Sequence, residues 1–197
     1  APNASELSSN GEHEGTSRYE IGKSDLKSET SLQFDFGAEF NSEHISVGIS
    51  PFISLVSQYI FFEKLRSVGG GDSLTDNGNG EYVPTYKFNQ QNATLAGLEV
   101  NLDIHPHPLD WLHFENTISY VRGWFANDID NSSNLPQMPP FRLLSELRAE
   151  VGKSKRESLL DNSYFKIEMD ANAAQNNPFT AYDTETATKG FVLLNAG

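Results

Sequence analysis

The sequence predicts an all-β chain: an antiparallel up-and-down transmembrane β-barrel segment of about seven strands, an open arc of a larger barrel. Three observations carry the prediction. Apolar and polar residues alternate with a period of two in one segment after another. The connections between those segments alternate between short and long. One alternating run extends for about 17 residues, where strands usually have ~5–6.

The elements follow in order. In 32–40, Leu32, Phe34, Phe36, Ala38 and Phe40 alternate with Gln33, Asp35, Gly37 and Glu39. In 45–61, Ile45, Val47, Ile49, Ile53, Leu55, Tyr59 and Phe61 alternate with Ser46, Gly48, Ser50, Ser54 and Gln58. In 95–104, Ala96, Leu98, Val100, Leu102 and Ile104 alternate with Gly97, Glu99, Asn101 and Asp103. Leu112, Phe114, Ile118, Tyr120 and Trp124 are set against His113, Glu115, Thr117 and Ser119. Phe141, Leu143, Leu147, Ala149 and Val151 face away from Arg142, Glu146, Arg148 and Glu150. Phe165, Ile167, Met169, Ala171 and Ala173 oppose Lys166, Glu168, Asp170 and Asn172, and a last strand begins at Phe191. Each strand thus has one apolar and one polar face. The composition of 141–151 also suits a helix, with Pro139-Pro140 at its start. Its strict alternation decides for a strand.

The connections at 41–44 and 105–108 are short, whereas 63–91, 127–137 and 175–188 are long and 153–162 is intermediate. In an up-and-down sheet alternate connections share an end. One end therefore has tight turns and the other polar loops, as in outer-membrane barrels. Phe40, Tyr59, Phe61, Trp111, Tyr120, Trp124 and Tyr164 lie near strand ends, where they suit interfacial girdles or ordinary core packing equally. Two residues break the apolar register: Arg122, beside Trp124 near the long-loop end, and Asn116 in mid-strand. Nothing in the sequence accounts for Asn116; a bulge and a protein neighbour are the options.

Composition removes several classes. The 197 residues carry a formal net charge of −13, which disfavours binding a polyanion, so no nucleic-acid partner is expected. Absence of cysteine excludes disulfides and thiolate metal sites. No apolar run approaches the ~20 residues of a membrane helix, and no signal peptide opens the chain. A mean hydropathy of −0.48 does not argue against a barrel, because only alternate residues meet lipid.

Several motifs carry a resemblance. Ser5-Glu6-Leu7, the loop Gly11-Glu12-His13-Glu14-Gly15, and Tyr19-Glu20-Ile21-Gly22 followed by Leu26-Lys27-Ser28-Glu29 come first. Ala93-Thr94-Leu95-Ala96-Gly97-Leu98-Glu99, Leu135-Pro136-Gln137-Met138-Pro139-Pro140-Phe141-Arg142 and Thr188-Lys189-Gly190-Phe191-Val192-Leu193-Leu194-Asn195 follow in order. Together they resemble the barrel of TonB-dependent outer-membrane receptors. Lys23-Ser24 stands where that family has Asn-Pro, and Ser28 where proline is common.

The resemblance implies a barrel of twenty-two strands with an N-terminal plug. Residues 1–197 would be a partial receptor barrel from the C-terminal third, with the plug domain and final strands absent. It further implies an outer-membrane location in a Gram-negative bacterium. The implied function is TonB-coupled import of a scarce nutrient, such as siderophore-bound iron, haem or a metal ion like zinc, without bond chemistry or a cofactor. The implied partners are the plug of the same chain, the TonB complex through that plug, outer-membrane lipid and a metal or metal-chelate substrate.

Catalytic motifs are missing: there is no nucleophile elbow, P-loop, dinucleotide fingerprint or paired-histidine zinc motif, so no enzyme is expected. Glu12, His13 and Glu14, with Arg18 and Tyr19, are the candidate substrate contacts, and His13 the candidate metal ligand. Imidazole beside carboxylate suits a borderline divalent cation. The bland alternative is a solvated polar loop. His105 and His107 also invite a metal reading, but prolines in a tight turn account for that segment. Two other architectures compete. A soluble extracellular β-sandwich binding carbohydrate or protein would have shorter strands. A complete porin would have an even strand number.

Overall fold

The computed structural model describes residues 1–13, 15–151 and 163–197. The elements are α1 (Ala4–Ser8), β1 (Asn10–His13), β2 (Arg18–Ile21), β3 (Thr30–Asp35), β4 (Ala38–Asn41), β5 (Ile45–Lys64) and β6 (Leu74–Asp76). They continue with β7 (Tyr82–Ile104), β8 (Leu112–Ile129), β9 (Ser132–Asn134), β10 (Arg142–Val151), β11 (Ser163–Asn172) and β12 (Phe191–Ala196). All strands belong to one sheet. β3 and β4 form one edge beside β5; β5 pairs β7, then β8, β10, β11 and β12 follow to the other edge. The sheet is open, and among the described residues no second sheet covers it. The sandwich expectation therefore fails, and the open antiparallel arc stands.

Register shows why the alternation is so regular. Ala38, Ile49, Val100, Ile118, Leu143, Ala171 and Val192 are successive cross-strand partners, an apolar row from one edge to the other. A second row, displaced along the strands to the other face, runs Asn41, Ser46, Asp103, Glu115, Glu146, Glu168 and Asn195. The apolar face is uncovered: Ile49, Ile53, Phe114 and Ile167 are all exposed. A contiguous exposed apolar band of this width requires an apolar medium or partner.

β3 and β4 are one strand in a single register, Asp35 opposite Phe52 and Ala38 opposite Ile49. The interruption lies opposite Pro51, which accepts from Phe36 N at 3.1 Å but has no N–H to return. Near the chain start, Asn3 and Glu6 form a capping box for α1, an element the alternation does not reveal.

The expected loop at 63–91 is shorter than predicted, because β7 already begins at Tyr82 and β6 pairs with it. Polar residues Asn89, Gln90 and Gln91 hide that part of the strand from a periodicity argument. A bulge between Val56 and Tyr59 inverts the faces of β5. Gln58, at its centre, has φ 62°. Above the bulge Tyr59 and Phe61 turn to the polar face, so they are not girdle residues. Phe61 packs there with Ala93, Phe125, Leu135, Phe179 and Ala181, the main buried apolar cluster. Tyr164 pairs with Glu150 and also falls in the polar register. Phe40, Tyr120 and Trp124 keep the apolar one. At Asn116 there is no bulge: it pairs continuously with Leu102 and Ser145. The intermediate connection at 153–162 lies outside the described residues.

Candidate functional site

The long-loop end holds the candidate site. Above Ala93 the β8 position beside β7 is taken by β2, which pairs parallel to β7 through Tyr19–Thr85, Glu20–Tyr86 and Ile21–Lys87. β1 folds back on β2, with Glu12 opposite Tyr19 and His13 opposite Arg18. Gly22 fixes this hairpin against α1. Its N–H donates to Ser9 O at 2.7 Å, and a Cβ there would lie 2.5 Å from Ser8 N.

The period of two divides the predicted residues. Glu12 and Tyr19 share one face; His13 and Arg18 share the other. Glu12 accepts from Asn77 Nδ2 at 2.9 Å, and the Tyr19 hydroxyl donates to Asn10 Oδ1 at 3.0 Å. The Arg18 guanidinium is held by the buried Glu20 at 2.8 Å and lies 4.3 Å above the Phe62 ring and 5.5 Å from Tyr86. His13 is exposed at the strand end, and Glu14 lies outside the described residues. Among the described residues His13 belongs to no group of three potential metal ligands. Sequence reasoning missed Glu20, although a residue two positions from Arg18 on a strand shares its face. It also missed Asn77, Phe62 and Tyr86, which reach the hairpin from distant strands and leave no local signal.

Beside the hairpin a cavity of about 320 Å³ is lined by Arg18, Phe62, Tyr86, Gln137, Phe179 and Glu185, among others. Its wall is the segment carrying Phe179 to Glu185, which folds inward over β5, β7 and β8. Phe179 N donates to Glu185 Oε2 at 2.9 Å, Gln137 N donates to Glu185 Oε1 at 2.7 Å and Asn134 Nδ2 to Pro178 O at 3.1 Å. Tyr182 N donates to Asp130 Oδ2 at 2.8 Å, and Arg66 bridges Asp130 and Asp183 at 3.4 and 3.5 Å. Burial, and then the Glu63 carboxylate, push the Tyr182 phenol up to about 12. The described residues of this site offer aromatic walls, fixed charges and amides, groups suited to holding a ligand.

At the short-turn end His105 and His107 do not form the pair the sequence invites. His107 lies 3.1 Å from Asp110, while His105 turns to His113.

No curated protein matches the chain. Solved structures do. A copper transporter, OprC, matches 99% of this chain and 26% of its own length, at 18% identity and TM-score 0.69. A mutant of the ferric enterobactin receptor PfeA from Pseudomonas aeruginosa matches 98% of this chain and 28% of its own, at 18% identity and TM-score 0.59. The siderophore receptor PirA from the same organism matches 100% and 30%, at 16% identity and TM-score 0.58. These likenesses show the fold, and the chain spans less than a third of each structure's length. The family model for the TonB dependent receptor-like β-barrel matches residues 1–197, and the chain belongs to that family.

Proposed function

We propose that the receptor containing this chain sits in the outer membrane of a Gram-negative bacterium and imports a scarce metal nutrient. The cargo class is a metal ion or a metal chelate, such as siderophore-bound iron, haem or zinc. Import would draw energy from TonB through a plug domain of the same receptor. The observation that carries this reading is the uncovered apolar row beside a charged row, in a family of outer-membrane receptors. Structures with related folds are described as a copper transporter, a ferric enterobactin receptor and a siderophore receptor, which favours metal cargo.

Glu12, His13, Arg18 and Tyr19, at the mouth, are the proposed cargo contacts, together with Glu14. Glu12 and Tyr19 are favoured because they share the face of Thr85, which is the polar face of β7. Deletion of the gene tests the reading. Uptake of one labelled metal or chelate should fall at least tenfold and return with the wild-type gene. It should also stop when the proton-motive force is dissipated. Unchanged uptake of iron, haem and zinc in the deletion strain would overturn the proposal.

A further inference from the structure

One row of the charged face holds the carboxylates Asp103, Glu115, Glu146 and Glu168. Permanent cations neutralise three of them: Arg148 lies 2.7 Å from Glu115, and Lys166 lies 2.9 Å from Glu146 and 3.1 Å from Glu168. Among the described residues Asp103 has no such partner; its Oδ2 lies 3.0 Å from His105 Nε2, and its Oδ1 is buried without a hydrogen bond.

His105, just past β7, faces His113 on β8, with the two Nδ1 atoms 3.1 Å apart and the rings edge to face. Only one proton fits in that contact, so at least one ring presents a lone pair to the other. On the far side His113 Nε2 is buried without a hydrogen bond, 3.6 Å from Glu150 Oε1. One potential ligand atom from each of Asp103, His105 and His113 lies within 4.8 Å of the others. Two nitrogens on one tetrahedral zinc at ~2.0–2.1 Å are roughly 3.3 Å apart, so the imidazoles need open only slightly, while the Asp103 carboxylate turns from the Nε2 side of His105 to its Nδ1 side.

We propose that Asp103, His105 and His113 bind one divalent cation of the borderline class, zinc(II) in type, on the charged face at the short-turn end. Two imidazoles and a carboxylate leave a position for water or a further ligand. The cation supplies the permanent positive charge that none of the described residues brings to Asp103. The site is distinct from the mouth: Asp103 lies about 18 residues along β7 from Thr85, roughly 60 Å at ~3.3 Å per residue. It stands whatever the cargo is.

The test uses the whole receptor in detergent, stripped with a chelator and titrated with zinc(II) against a chromophoric competitor. His113→Ala and His105→Ala should each bind one equivalent less than wild type. Asp103→Asn should weaken that equivalent at least tenfold, and His107→Ala should retain it. Equal stoichiometry and affinity in wild type and both histidine variants would overturn the site. Where a variant fails to assemble, the wild type decides. Zinc must protect His105 and His113 from diethyl pyrocarbonate, located by peptide mass spectrometry; equal modification with and without zinc rejects the proposal.

Discussion

The Tyr182 hydroxyl donates a 3.0 Å hydrogen bond to the Glu63 carboxylate, joining residues 119 positions apart. Through it the segment after β11 is tied to the top of β5. The same segment is tied to the turn after β8 by Asp130. The folded phenol, at about 12, is raised above its unfolded value near 10. A raised value means that the folded state holds the proton more tightly. The contribution to stability is therefore complete below pH ~10 and is lost as pH rises towards 12. Ultraviolet titration should show phenolate forming late, towards pH 12, and Tyr182→Phe should lower that late amplitude by one phenolate. An undiminished late amplitude in the variant contradicts the assignment.

The mouth cluster should depend on Leu135, which is 0% exposed. Truncating a fully buried leucine costs ~2–5 kcal/mol. Leu135→Ala should therefore free the segment around Phe179 and Ala181 and speed proteolysis there, while the barrel strands stay protected. Equal cleavage in both proteins would show that Leu135 does not anchor the loop.

A larger side chain beside it should do similar damage by the opposite route. A Cβ at Gly123 would lie 2.5 Å from Leu135 Cδ1 and 3.0 Å from the Met138 sulfur. Overpacking of this kind costs ~1–3 kcal/mol. Gly123→Val should lower the denaturant midpoint of the loop transition, and Gly123→Ala should lower it less.

The two faces should respond differently to charge. Ile118 lies in the apolar row and Thr117 on the charged face. Arginine facing lipid at mid-bilayer costs ~2–4 kcal/mol, and near the interface ~0–1. Ile118→Arg should impair assembly, measured by heat-modifiable gel mobility, while Thr117→Arg assembles normally. Comparable assembly of both variants would contradict the lipid-facing row.

Most of the fold was legible because a two-sided sheet writes its faces into alternate residues. The rows through Val100 and Asn101 are that pattern in space. Legibility stopped where the register changed. At Gln58 one extra residue inverted Tyr59 and Phe61, and a bulge of this kind has no sequence period of its own. It also stopped where strands became polar on both faces, as at Asn89–Gln91 in β7. For the candidate site, the hairpin residues could be named from local chemistry. Their long-range partners Asn77, Phe62 and Tyr86 could not, and nor could the approach of His113 to His105 across a turn.

An apolar row that faces lipid can be read directly with single labels, because the chain has no cysteine to interfere with them. A cysteine-free form of the receptor, reconstituted in bilayers, should be labelled singly at Val100, Asn101, Thr117 and Ile118 with a fluorophore. Lipid-borne quenchers should quench positions 100 and 118, and aqueous quenchers positions 101 and 117. Aqueous quenching of all four, or shielding of 100 and 118 from both quenchers, would contradict the account.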